Sequence, residues 1–234
     1  MKKNKEGGDG TKNSWIEGTK TLISFFLNLH NFTILYGLCI APLNKYPTSA
    51  QDWINYSKSI SIKVADCFFT PYEIQHLLLR ASMAPPDDPY FAKEYPSNAL
   101  GKSKARFKCS KAESLINFGF YYPYKSSPSL KIFGNVNLIR ELAEVAKAGL
   151  DSCSLDVSTN QITFPPIIAF YKKDFLSGKY NKNFMVVLKT KLFGNATTKD
   201  DKKIAKWYLY SITNSLKKPI IYENTCYDFD FSTL

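Results

Sequence analysis

The chain has 234 residues, 44% of them hydrophobic and 22% charged, which excludes an intrinsically disordered protein and is enough for one sizeable core. Its formal net charge of +11 favours acidic partners such as nucleic acid or an anionic surface, although scattered lysines are more typical of an ordinary soluble surface. The five cysteines form no CxxC pair and there are only two histidines, so we predict free thiols in the cytoplasm, no metal site and no cofactor.

The chain begins with a predicted tail followed by a long apolar helix. Residues 1–16 are charged and contain glycines, which predicts a mobile basic tail. The helix predicted from Glu17 to Leu38 has apolar residues nearly all around it and approaches the length of a membrane span. Asn28, His30 and Asn31 stand in its middle, where polar side chains are costly in lipid. We therefore predict a buried core helix and no membrane span.

The next part of the chain contains a strand, a helix start and a long loop. Alternation of apolar and polar residues over Ser59–Val64 predicts a half-buried strand. Thr70 and Glu73 have the spacing of a capping box, which predicts that a helix begins there. Residues 83–114 hold four prolines, and we expect a long surface excursion. Its basic run, which predicts an anion-binding surface as one alternative, consists of Lys102, Lys104, Arg106, Lys108 and Lys111.

The stretch from Ile116 to Phe133 is the most apolar and aromatic part of the middle of the chain. We predict a strand-like run over Ile116–Tyr122, a rigid turn at Pro123, and a second short run over Leu130–Phe133. Proline fixes the backbone and removes a hydrogen-bond donor, so the connection should be irregular rather than helical.

The C-terminal part alternates helices with one short hairpin. The pattern predicts an amphipathic helix from Asn137 to about Gly149, and then a hairpin formed by residues 155–157 and 161–164. Further helices are predicted near residues 167–171, over Asn183 to Phe193, and from Thr198, followed by an extended segment at 226–231. Helices and strands do not alternate regularly, so we predict an α+β fold: one mixed domain over residues 17–234 with a small sheet packed by several helices.

Six stretches together resemble the domain of unknown function 547 family. Residues 25–31 (FFLNLHN) resemble its FWINLYN stretch, and residues 74–80 (IQHLLLR) resemble its IEHxxLR helix. Residues 118–133 are similar to its FALxCGxxSxPxxRVY stretch, and residues 135–150 to the helix that follows. Residues 170–175 (FYKKDF) and 227–229 (YDF) are similar to its FxWYxxDF and YDW. The family-like site implied by this resemblance comprises Asn28, Asn31, His76, Tyr122, Ser126 and Ser127.

The departures from the family pattern bear directly on chemistry. The resemblance places Tyr122 where the family usually has cysteine, Asn117 where many members have histidine, and Gln75 where glutamate is frequent. A thiol nucleophile needs a thiolate with a base in reach, and a phenol with a pKa near 10 cannot replace it. If the family uses cysteine–histidine chemistry, the resemblance implies that this copy has lost it.

The sequence contains no phosphate-binding loop, no HExxH and no GxSxG. It therefore favours a non-catalytic globular module, a pseudoenzyme that acts through contacts with other proteins, over an enzyme. Two alternatives stay open. One is a hydrolase in which His76 activates a displaced cysteine such as Cys67, and the other is nucleic-acid binding through the basic run.

Overall fold

The structure is a computed structural model. It describes residues 10–40, 46–85, 88, 90–96, 100–123, 127, 129–151, 153–156, 161–176, 182–195 and 221–222. The predicted helix from Thr198, the extended segment at 226–231 and the candidate site residue Ser126 lie outside the described residues. The limits of the domain, 17–234, and the mobility of the tail stay predictions.

The longest element is helix α1, Gly10–Ile40, which extends beyond the predicted helix at both ends. Leu27, Ile34 and Leu38 are fully buried on one side of it, and the centre of the helix belongs to the main core. Within the described residues, the stretch Gly18–Ile40 is long and apolar enough to cross a membrane, and 56% of its most apolar window is buried in the fold. The absence of a membrane span stays a prediction.

A second helix, a hairpin and a π-helix follow. Helix α2, Ala50–Ser59, begins where the Ser49 hydroxyl accepts a hydrogen bond from the Asp52 amide. Strands β1, Ile62–Val64, and β2, Cys67–Phe69, pair antiparallel with Ile62 opposite Phe69, so the predicted strand forms in its last three residues.

The predicted capping box is confirmed. The Thr70 amide donates to Glu73 Oε2 and the Glu73 amide donates to Thr70 Oγ1, each at 3.1 Å. The helix that follows becomes a π-helix over Glu73–Leu79, and the Arg80 amide donates to the Gln75 carbonyl five residues back. All six residues from 74 to 79 are buried, including the polar side chains of Gln75 and His76.

The region predicted as a surface excursion contains two short helices, α3, Phe91–Glu94, and α4, Gly101–Ala105. The strand-like run predicted over Ile116–Tyr122 is wrong, since a 3₁₀-helix spans Ser114–Phe118 and residues 119–122 form no strand. All five of its residues are buried, and the Glu113 carboxylate accepts a hydrogen bond from the Leu115 amide at its start. A short apolar run does not distinguish a buried strand from a buried helical turn.

The C-terminal part follows the predicted order. Helix α5 is Leu138–Gly149, with Asn137 at its N-terminus as predicted. Strands β3, Ser154–Asp156, and β4, Gln161–Phe164, form the predicted antiparallel hairpin, and β5, Ile221–Tyr222, pairs with β4 in parallel. Helices α6, Pro166–Phe170, and α7, Lys172–Leu176, precede helix α8, Lys182–Asn195, which covers the helix predicted from Asn183.

The predicted α+β class is confirmed: small antiparallel pairings are packed by several helices. The main core lies where α1 meets the π-helix, and where α5 meets both the 3₁₀-helix and α8. Phe118 is at its centre, with ring contacts to Phe175 and Phe184. A smaller cluster of Ile54, Tyr72, Leu77 and Phe91 joins α2 to the π-helix.

Candidate functional site

Two asparagines of α1 hold distant backbone segments against the helix. The Asn28 amide donates to the Phe133 carbonyl and accepts from the Phe133 amide, both at 2.9 Å. The Asn31 amide donates to the Gly119 carbonyl at 2.8 Å and accepts from the Tyr121 amide at 2.9 Å. Both side chains therefore replace a missing strand partner for the stretch around Tyr122, which explains why polar residues stand in an apolar helix.

Tyr122 lies inside the protein, with 3% of its surface exposed. The Gln75 side chain donates to its hydroxyl and, at 2.8 Å, to the hydroxyl of Tyr171. The two hydroxyls are 3.1 Å apart, so Gln75, Tyr122 and Tyr171 form one buried polar triangle. The Tyr122 ring packs edge-on against Trp53 at 5.6 Å, which surrounds it with aromatic carbon.

A buried ion pair lies next to this triangle. Arg80 Nε and Nη2 donate to the two carboxylate oxygens of Asp174 at 2.7 and 2.9 Å, and the two side chains are 2% and 1% exposed. Asn117 donates a third hydrogen bond to the same carboxylate at 2.9 Å. The Arg80 guanidinium also lies 4.5 Å from the centre of the Tyr171 ring, which connects the ion pair to the triangle.

His76 is held as a neutral acceptor. Its Nδ1 lies 2.7 Å from Arg80 Nη1, and since a guanidinium can only donate, Nδ1 carries no proton. Burial, and then the positive charge of Arg80, hold the pKa of His76 well below 6.5. Its ring packs against Tyr72 at 4.6 Å. This geometry suits a structural imidazole and not one that takes up a proton near neutral pH.

The other histidine, His30, has a similar environment on α1. Burial lowers its pKa from 6.5 to about 4, partly opposed by its hydrogen bond to the Asn31 side chain. Its Nδ1 lies 3.0 Å from Asn31 Oδ1, and its ring packs against Phe120 at 4.7 Å. Both histidines are therefore buried and neutral at pH 7.

The cysteines of the described residues do not supply a nucleophile next to these histidines. Cys67 is buried in β2 and has no hydrogen bond to His76. Burial raises the pKa of the Cys109 thiol to about 11, which makes the thiolate scarce at neutral pH. Cys39 is exposed near the C-terminal end of α1. The geometry thus gives no support to the alternative in which His76 activates Cys67.

A second charged cluster lies between α2 and α3. Lys58 Nζ contacts Asp88 at 2.8 Å and Glu94 at 2.6 Å, and the Tyr72 hydroxyl donates to Asp88 at 2.5 Å. Burial opposes ionisation of Asp88, but the hydrogen bonds from Lys58 and Tyr72 lower its pKa below the usual range. Burial and the bond to Asp88 raise the pKa of Tyr72. These groups satisfy one another and anchor residue 88 to the protein.

The implied site residues fall into separate places. His76 and Tyr122 lie on one buried network. Asn28 and Asn31, by contrast, stand on α1 and bind the backbone of the segment from 119 to 133. Ser127 Oγ accepts a hydrogen bond from the Tyr122 amide at 2.9 Å, as expected for a serine in a turn. The residues that hold the network together, Gln75, Arg80, Asn117, Tyr171 and Asp174, were not among the predicted site residues. All but Asn117 lie inside the stretches that carry the family resemblance. That position was the one feature of the sequence that could have pointed to them.

The basic run is only partly free of ion pairs. Lys104 Nζ contacts both carboxylate oxygens of Glu73, at 2.7 and 2.9 Å. Lys102, Arg106, Lys108 and Lys111 are exposed. The Arg106 guanidinium lies 4.7 Å from the centre of the Phe107 ring. Nucleic-acid binding by this run stays a prediction.

Within the described part of the chain, no group of three or more histidine, cysteine, aspartate or glutamate side chains could hold a metal ion.

A family model described as "Protein of unknown function, DUF547" matches residues 17–148. Searches of curated proteins and of solved structures found no match. The match covers α1 to α5 and therefore includes His76, Arg80 and Tyr122, while Asp174 and Tyr171 lie beyond it.

Proposed function

The chain belongs to the family described as proteins of unknown function, DUF547, and on this premise we propose that it is a non-catalytic globular module that acts through contacts with other proteins. The observation that carries the proposal is the hydroxyl of Tyr122, which is buried and shared between Gln75 and Tyr171. The resemblance places a cysteine at this position, so the place of a nucleophile is taken by a side chain that is fully engaged in packing and hydrogen bonds.

The surrounding groups support the same conclusion. A general base must reach the proton it removes, and it works best with a pKa near the operating pH. His76 has one nitrogen occupied by Arg80 and a pKa far below neutrality. The one carboxylate of the network, Asp174, is saturated by Arg80 and Asn117. These residues connect the π-helix, the 3₁₀-helix and α7, which is what a structural network does.

The test is turnover by the purified full chain on ester and peptide-bond substrates. We expect no hydrolysis above buffer for the wild-type chain, and none for Tyr122→Cys, because His76 is not free to activate a thiol at that position. Tyr122→Phe, which retains the ring and removes the hydroxyl, should fold, since the ring packing is unchanged.

Turnover that disappears in both Tyr122→Phe and His76→Gln would refute the proposal. The matched control is Tyr90→Phe, because Tyr90 is exposed and outside the network. Loss of turnover confined to the two network variants would show that the network is catalytic. Retention of turnover in all three variants would trace it to a contaminant, and loss in all three would indicate general damage.

A further inference from the structure

An apolar seam of five residues runs along the outer side of α1; four of them are exposed, and the fifth, Leu29, is half-buried against the core. Its members are Phe25, Leu29, Phe32, Tyr36 and Cys39, which follow one another at intervals of four, three, four and three residues. This is the spacing of core positions in a helix that packs along a second helix. Phe32 and Tyr36 stack on each other in the open, with their rings 5.9 Å apart and nearly parallel.

A flanking strip of three exposed apolar residues lies beside the seam: Leu130, Ile132 and Val136. Two contacts fix its position. Phe133 is bound to Asn28, and the Asn135 side chain donates to the Thr21 hydroxyl at 3.2 Å. The strip therefore runs antiparallel to α1, and its apolar residues extend the surface that the seam begins.

The size of this surface matches an interface between proteins. Six large hydrophobic residues in it, Phe25, Phe32, Tyr36, Leu130, Ile132 and Val136, are between 46% and 83% exposed. Together they expose on the order of 700 Å² of mostly apolar area. The largest apolar patch on a typical monomer is roughly 300–600 Å², and a standard interface buries about 800 Å² on each partner.

We propose that this surface binds a second copy of the same chain, with α1 packed along α1 of the partner. The proposal rests on the proposed function and names the partner in it. A two-fold interface needs one self-complementary surface. The apolar residues of the seam recur at intervals of three and four, and α1 of a second copy carries the same residues at the same intervals. None of the eight residues named in the seam and strip is charged, and Lys131, which stands between two of them, is paired with Glu144.

An anionic lipid surface fits the same residues less well. The Gly134 amide beside the strip is bound to the Glu141 carboxylate at 2.8 Å, and Lys131 is paired with Glu144 at 3.0 Å. The charges next to the strip therefore include two carboxylates, which anionic lipid would repel. Dimerisation and lipid binding also respond to salt in opposite directions, which makes them separable.

The experiment is sedimentation velocity of the full chain over a concentration series. We expect a monomer–dimer equilibrium that strengthens as salt is added, because two copies of charge +11 repel each other less when they are screened. Phe32→Glu with Tyr36→Glu should weaken dimerisation at least tenfold, and Ile132→Glu should weaken it separately. The matched control is Phe68→Glu, since Phe68 is an equally exposed phenylalanine in β2.

A chain that stays monomeric at every concentration would overturn the inference, as would a dimer that the three seam and strip substitutions leave intact. Binding to phosphatidylserine vesicles that the same substitutions abolish and salt weakens would assign the surface to lipid instead. Circular dichroism of each variant separates loss of dimerisation from loss of folding. None of these outcomes changes the turnover assay, so failure of the dimer and failure of the non-catalytic module are distinguishable.

Discussion

At the residue scale, the ion pair between Arg80 and Asp174 is the contact that most depends on burial. Both side chains lie out of water, and the carboxylate is satisfied by two nitrogens of Arg80 and one of Asn117. Such a pair contributes little net stability compared with an apolar replacement, but removal of one member leaves an uncompensated buried charge. Its value here is to fix how the π-helix meets α7.

We expect Arg80→Met to lower the free energy of unfolding by about 3–5 kcal/mol, because Asp174 would stay buried without its ion-pair partner. Urea denaturation measures the loss. The control is Lys131→Met, which breaks an exposed pair with Glu144 and should cost less than about 1 kcal/mol. Similar losses in the two variants would contradict the interpretation, and Arg80→Met with Asp174→Leu should recover part of the stability.

The two histidines make stability depend on pH. Both have folded-state pKa values below 6.5, so the unfolded chain binds more protons than the folded one once the pH falls below about 6.5. Stability is therefore complete above this value and is lost progressively as the pH falls towards about 4, where folded His30 also titrates. From its shift alone, His30 should account for a loss of about 3 kcal/mol.

The measurement is the free energy of unfolding between pH 7.5 and 5, a range chosen to lie above the titration of most carboxylates. We expect His30→Gln to flatten this dependence, since glutamine does not titrate. An unchanged slope in His30→Gln would show that His30 is not the source of the acid sensitivity.

At the element scale, a glycine sets how closely α5 approaches the core. A Cβ on Gly149, the last residue of α5, would lie 2.7 Å from the Phe118 ring. A Cβ on Gly18 in α1 would meet nothing within 4 Å. Alanine is the better helix former at any helical position by about 1 kcal/mol, so the two sites separate propensity from packing.

We expect Gly149→Ala to destabilise the protein by about 1–3 kcal/mol, because the 3₁₀-helix that carries Phe118 would have to shift. Gly18→Ala should instead stabilise it by up to about 1 kcal/mol. Thermal melting of the two variants side by side is the measurement. A gain in stability from Gly149→Ala would mean that Phe118 moves freely, contrary to its central place in the core.

At the scale of the whole molecule, three of the six stretches that resemble the family meet in one buried network. The π-helix contributes His76 and Arg80, the central stretch contributes Asn117 and Tyr122, and α7 contributes Asp174. In this network, each of the three segments supplies a hydrogen-bond partner to another. The net charge of +11, by contrast, comes from lysines and arginines scattered along the sequence and identifies no site by itself.

We expect any binding of the full chain to single-stranded or duplex DNA to reflect that overall charge. Lys108→Glu with Lys111→Glu should weaken binding no more than the control Lys172→Glu with Lys173→Glu, where two exposed lysines of α7 are reversed. Titrations at several salt concentrations are the measurement, since each lost phosphate contact reduces the salt slope by roughly one. A much larger effect in the basic run would establish it as a nucleic-acid site.

The elements that were predictable from sequence are those with local causes. The capping box at Thr70, the amphipathic pattern of α5, the β3–β4 hairpin and α8 all depend on residues a few positions apart, and each forms as predicted. The family resemblance likewise depends on local stretches, and the match over residues 17–148 confirms it.

Tertiary contacts decided the rest. The strand expected from Ile116 is a 3₁₀-helix with all five residues buried, and a short, fully buried apolar run fits either structure by its pattern alone. Arg80 and Asp174 are 94 positions apart, and Asn31 and Gly119 are 88 apart, so no sequence window contains either pair. The resemblance alone places the phenol of Tyr122 at a position where it implies a cysteine. That its hydroxyl is sealed between Gln75 and Tyr171 follows only from the packing of three distant segments, because burial is a property of the fold and not of the residue.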